Sequence, residues 1–154
     1  MNEKLNIQLR FIRPLDDASL ASVIRAALVE FGADRPGFAW QDPELDAMSE
    51  TYNGPGHLYF VAVEGETVLG GAGFAPLHGV AETCELQKMY LAPSARRQGV
   101  GGLLMGRLLD EARLKGYRWA YLETLSGMVE AQHLYRAWGF LKIAHPLGQT
   151  GHGG

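Results

Sequence analysis

Residues 96 to 102 read Arg-Arg-Gln-Gly-Val-Gly-Gly, a basic pair followed by glycines where an apolar-periodic run begins. The first turn of a helix leaves backbone N–H groups without intrahelical acceptors, and the aligned peptide dipoles make that end electropositive. Glycines there let a bulky anion approach the backbone, and Arg96 and Arg97 add charge, so the stretch suits a pyrophosphate. A P-loop would need a lysine after its last glycine, and none stands here. A dinucleotide fingerprint would use Gly99 and Gly101 but needs a third glycine where Leu104 stands. The pattern that fits is Arg-x-x-Gly-x-Gly, at Arg96, Gly99 and Gly101. The plainer alternative is a glycine-softened helix start that binds nothing.

Other reactive residue types are sparse. Cys84 lies beside Glu85 with no histidine adjacent in sequence, which favours a buried thiol over an acyl-forming nucleophile. His57, His78, His133, His145 and His152 show no metal-ligand spacing, so no metal is expected. Phe38, Trp40 and Tyr52 either line an acceptor pocket or form an apolar lid.

The elements that must position these residues follow from periodicity and breakers. Asn6–Ile12 alternates as a strand, and Asp16 or Asp17 caps a helix reaching Glu30, stopped by Gly32. Asp42-Pro43 opens a short helix to about Tyr52. His57–Val63 and Thr67–Ala75 form a hairpin across Glu64-Gly65-Glu66, and Thr83–Leu91 is a further strand. Gly99–Lys115 is the clearest helix, followed by a strand Arg118–Thr124, a helix Met128–Trp138 and a short strand Leu141–His145. The piece from Thr83 to Thr124 is a crossover unit, hence parallel and right-handed. The fold class expected is α/β: one mixed sheet with helices on both faces, in one domain, with a mobile tail from Gly148.

Composition agrees. The 154 residues are 47% hydrophobic and 20% charged, a globular balance for a single domain. Fourteen basic against seventeen acidic residues give a net charge of −3, which speaks against nucleic acid or anionic lipid as partner. No apolar run approaches the ~20 residues of a membrane span, and a cytoplasmic protein is expected.

The Arg96–Gly102 stretch resembles the acetyl-CoA signature of the GNAT N-acetyltransferase superfamily. Ala131-Gln132-His133-Leu134-Tyr135-Arg136-Ala137-Trp138-Gly139-Phe140 resembles that family's later signature, Ala-x-x-Leu-Tyr-x-x-x-Gly-Phe, and Glu85–Leu91 resembles its fourth strand. The resemblance implies a six- to seven-stranded sheet whose fourth and fifth strands splay. It implies that backbone amides of Arg97, Gln98, Gly99, Val100, Gly101 and Gly102 hold the pyrophosphate of acetyl-CoA, with Arg96 assisting, and that the pantetheine arm runs beside Met89, Tyr90 and Leu91. The Leu91 N–H would be the oxyanion donor and Tyr135 the acid near the sulfur. The implied activity is acetyl transfer to an amine of a small molecule or peptide. A protonated amine is not nucleophilic, so a base is required, and Glu85 is the candidate, acting directly or through water. Strict alternation puts Glu85 on the face of Met89 and Leu91. Thr124 is placed at the acceptor by analogy. Two departures stand out: Met128 occupies a place where many relatives carry Asn, and the residues after His145 are too glycine-rich for a last strand, so that strand is absent, truncated or supplied by a homodimer partner. The alternative from another class is a CoA-binding sensor without transfer chemistry.

Overall fold

Two sets of apolar residues divide the chain between the faces of one sheet. The computed structural model describes residues 6–33, 42–124 and 128–148. Five strands, β1 (Gln8–Phe11), β2 (Leu58–Glu64), β3 (Thr67–Pro76), β4 (Thr83–Leu91) and β5 (Trp119–Tyr121), lie in the order β1-β2-β3-β4-β5. The first four pair antiparallel, and β5 runs parallel to β4 because helix α3 (Val100–Leu114) carries the chain across.

On one face, Leu20, Ile24 and Leu28 of helix α1 (Asp17–Glu30) and Met48 of the short helix α2 (Met48–Thr51) pack on Tyr59, Val61 and Val63. On the other, Val100, Leu104, Met105 and Leu108 of α3, spaced at helical period, cover Phe60, Ala62, Phe74, Cys84 and Leu86. Each such fully buried side chain contributes roughly 2 kcal/mol before entropy is charged against it. Helix α4 (Val129–Ala137) leans on α3, where a Cβ at Gly106 would meet the Trp138 ring at 3.5 Å.

The structure differs from sequence expectation in three places. The stretch from Asp42 to Tyr52 is not one helix: a 3-10 turn at Pro43–Asp46 is cut from α2 by Ala47, at φ −137°. The strand after α3 is shorter, Trp119–Tyr121. Among the described residues the sheet has five strands, not six or seven, because Leu141–His145 finds no ladder partner. Leu141 and Ile143 are 87% and 49% exposed, and alternation alone does not make a strand without an edge to pair with. The loop bearing Phe38 and Trp40, and positions 149–154 of the expected tail, lie outside the described residues.

One packing feature shapes the site. In β3 the run Gly70-Gly71-Ala72-Gly73 removes side chains under the Tyr59 ring: a Cβ at Gly71 or Gly73 would lie 2.5 Å from that ring. Tyr59 therefore reaches across β3, and its hydroxyl donates to the Lys88 carbonyl of β4 at 2.7 Å. Lys88 has φ +51°, and the β3–β4 register shifts between Gly71 and Gly73, so β4 carries a bulge there. Tyr59→Phe keeps the ring and strips the bulge carbonyl of its donor. The expected cost is about 1–3 kcal/mol, read as a lower urea midpoint at unchanged slope; an unchanged midpoint would show that the bulge stands without it.

Candidate active site

The β4–β5 ladder pairs Thr83 with Trp119, Cys84 with Ala120 and Glu85 with Tyr121, and goes no further, while β4 continues to Leu91. The strands are thus splayed, leaving a notch beside the second half of β4. Ala92 donates its N–H to Leu69 of β3 at 2.7 Å. Strand alternation then turns the Leu91 N–H to the opposite edge, into the notch. The Leu91 carbonyl, turned the same way, accepts from Arg96 Nε at 3.1 Å.

Beyond β4 the chain makes a 3-10 turn at Pro93–Ala95 and enters α3 through Arg97, at φ +62°, and Gly99, at φ +78°. The N-cap residue of α3 is Gly99, which has no side chain to cap the first turn. The first-turn amides therefore point outward, without intrahelical acceptors. The glycines divide the work. A Cβ at Gly99 or Gly102 would project into open space, which leaves the amides bare, whereas a Cβ at Gly101 would lie 3.0 Å from Leu134 Cδ2, so Gly101 serves the packing of α4. Arg96 places both terminal guanidinium nitrogens on Glu30 at the end of α1, at 2.6 and 2.9 Å. It braces the turn against α1, a structural task the sequence did not suggest. Arg97 is exposed, with one nitrogen 3.0 Å from Glu130 at the start of α4.

The bulge corrects the expected face of Glu85. Before Lys88, Cys84 and Leu86 face α3 and Glu85 faces α1; after it, Met89 and Leu91 face α3 and Tyr90 faces α1. Glu85 is therefore on the face opposite Met89 and Leu91, because the extra residue at Lys88 shifts the alternation by one. Glu85 is only 6% exposed. Its Oε1 accepts from Gln87 Nε2 at 2.6 Å, and Gln87 Oε1 accepts from the Tyr52 hydroxyl at 2.7 Å. Burial, then the charges of Glu44 and Glu85, push the Tyr52 phenol far above its ordinary range, so it stays a donor. Lys88, its side chain 8% exposed, pairs with Glu44 at 2.7 Å. Across the ladder, Tyr121 donates to Glu123 at 2.7 Å and accepts from the Leu147 N–H at 3.2 Å. Burial foremost, then the bond to Glu123, pushes its phenol up to about 12.

Tyr135 is half-buried on α4, its ring edge-on to Phe140 with centroids 6.1 Å apart. Burial, with a smaller contribution from Tyr90, pushes its phenol up to about 12, so at neutral pH it carries a proton to give. Burial also pushes the Cys84 thiol up to about 11, which keeps it from being a thiolate nucleophile. Thr124 is exposed, just past β5. Among the described residues no group of three His, Cys, Asp or Glu side chains is placed to hold a metal, and no helix is long and apolar enough to cross a membrane. Sequence reasoning missed Gln87, Tyr59 and Glu30. The glycine run at 70–73, inside a strand, was the available signal for a close backbone approach.

A splayed mixed sheet with a glycine-opened helix start at the mouth of the notch is an architecture shared with solved acetyltransferases. The profile of the Acetyltransferase (GNAT) family matches residues 24–140, and the chain belongs to that family. It is 43% identical over 141 residues to the uncharacterized N-acetyltransferase YjgM of Escherichia coli, an alignment covering 89% of this chain and 83% of that protein. An acetyltransferase of the GNAT family from Staphylococcus aureus shares the fold with a TM-score of 0.80 at 20% identity, over 90% of this chain and 86% of that one. A predicted acetyltransferase from Clostridium acetobutylicum, crystallised with acetyl-CoA, superposes with a TM-score of 0.72 at 16% identity, over 94% and 96% of the two chains. The protein is an acetyltransferase.

Proposed function

We propose that this acetyltransferase moves the acetyl group of acetyl-CoA directly to a primary amine while both substrates are bound. The observation that carries the proposal is the β4–β5 ladder, which stops at Glu85–Tyr121 while β4 runs on to Leu91. An unpaired edge offers N–H and C=O groups to the amides of a pantetheine arm beside Met89, Tyr90 and Leu91. The amides from Arg97 to Gly102 take the pyrophosphate, and the Arg97 guanidinium adds charge at the rim. Arg96 acts by bracing, through Glu30 and the Leu91 carbonyl.

In the reaction, Glu85 takes a proton from the acceptor ammonium, directly or through one water. The freed amine nitrogen attacks the thioester carbon. The oxyanion that forms is met by the Leu91 N–H, already turned into the notch. As the C–S bond breaks, Tyr135 gives its proton to the departing thiolate. The attacking nitrogen's second proton passes to the Tyr135 phenolate and Glu85 releases the first to water, so the result is a neutral amide and free CoA. Phe38, Trp40 and Thr124 are proposed acceptor contacts.

The test is thiol release from acetyl-CoA against a panel of primary amines: amino acids, polyamines, aminoglycosides and peptide N-termini. Release dependent on protein and on at least one amine is expected. Tight acetyl-CoA binding with no release against any amine would overturn transfer in favour of a sensor.

A further inference from the structure

Three residues form a directed chain on the α1 face of β4: the Tyr52 hydroxyl donates to Gln87 Oε1 at 2.7 Å, and Gln87 Nε2 donates to Glu85 Oε1 at 2.6 Å. A side-chain amide has nearly the same shape both ways round, and only its partners decide which end points where. An ionised carboxylate can only accept, whereas a protonated one can also donate. With Tyr52 donating to the amide oxygen, Gln87 presents its N–H end to Glu85 and has no oxygen left to accept a proton from it. We propose that Gln87 is a positioning residue for Glu85 and that Tyr52, at the end of α2, acts through Gln87 to hold the carboxylate in its ionised, proton-accepting form. This rests on Glu85 being the base of the proposed reaction.

The geometry makes the chain stiff at each link. Tyr52 is 5% exposed, its ring 5.2 Å from that of Tyr59, so its hydroxyl has little freedom to turn away. Gln87 sits next to the bulge that Tyr59 supports, and regular two-residue alternation ahead of that bulge puts Gln87 and Glu85 on one face. Among the described residues, Tyr121 of β5, which donates to Glu123, is coupled to Glu85, and Tyr52 is coupled to Glu85, Glu44 and Tyr90, with Lys88 paired to Glu44. On β3 the residue opposite Glu85 is Ala75, which carries no charge. Tyr52 is also coupled to Glu85 directly through its charge, and the double variant separates that coupling from an effect relayed by Gln87.

The experiment is a pH titration of the full chain labelled with glutamate carrying ¹³C in its side-chain carboxyl. The Glu85 resonance is identified by its loss in Glu85→Gln. Gln87→Leu is expected to raise the Glu85 titration midpoint by about one pH unit, because a donor to the charged form is gone. Tyr52→Phe is expected to raise it in the same direction. The double variant should titrate like Gln87→Leu alone, since two groups acting in series do not add. An unmoved midpoint in Tyr52→Phe, or two shifts that simply sum in the double variant, would overturn the proposal. The role of Glu85 as base is read separately: full thiol release by Glu85→Gln would remove that role while leaving the titration result standing.

Discussion

Gly102→Glu is expected to weaken acetyl-CoA binding at least ~100-fold while leaving the fold as stable as before. Gly102 lies in the first turn of α3, and a side chain there meets nothing within 4 Å, so glutamate is accommodated. A carboxylate at this helix position interacts favourably with the dipole and the bare amides, so the melting temperature should hold or rise. The same carboxylate then occupies the charge-binding end of the helix. A charge about 5 Å from each phosphate, at an effective dielectric near 20, costs roughly 3 kcal/mol per pair, which is the expected ~100-fold or more. Gly102→Ala separates charge from bulk and should bind within about threefold of the parent, since its methyl also points into open space. Calorimetric titration with acetyl-CoA reads both. Retained affinity in Gly102→Glu would place the pyrophosphate elsewhere. Gly101 is the less informative target: its Cβ would press on Leu134 at 3.0 Å and disturb the helix that carries Tyr135, mixing packing with charge.

The second large effect concerns pH. Glu85→Gln keeps the side chain's size and an acceptor oxygen but abolishes proton acceptance. A primary alkyl amine has a pKa near ~10, so at pH 7 almost all of it is protonated and depends on the base. Turnover should fall about 10²–10³-fold there. At pH 9.5 a substantial fraction of the amine is already neutral, and the loss should shrink to within about tenfold. Tyr135, pushed up to about 12, stays protonated throughout that window, so loss of the acid does not distort the comparison. Equal losses at both pH values would take Glu85 out of the base role. The measurement is kcat against pH at saturating acetyl-CoA, using whichever amine the thiol-release panel yields.

These two predictions differ in how directly the sequence supplied their residues. The glycine-opened helix start proposed to hold the pyrophosphate was legible because everything that makes it is local: a strand end, a short turn, a helix start and the glycines at that start lie within one short window. The later signature around Tyr135 was legible as a resemblance, and the structure leans that helix on α3 through Gly106 and Trp138. Glu85 was singled out from its place on the strand, but its face was not legible. Alternation along an unbroken strand would have put it with Met89 and Leu91, and a single extra residue at Lys88 reverses that. Nor was the task of Arg96 legible, since its partner Glu30 lies 66 positions away.

Short-range chemistry therefore settled the order of the main strands and helices as far as α4, the parallel crossover through α3, and the electropositive helix start, because capping, periodicity and chirality act over a few residues. The bulge is different. It is held by the Tyr59 hydroxyl from 29 positions away, across a strand that had to be glycine at 71 and 73 to let the ring pass. Closure of contacts between distant segments decides such a feature, and with it which side of the sheet receives Glu85, Gln87 and Tyr52.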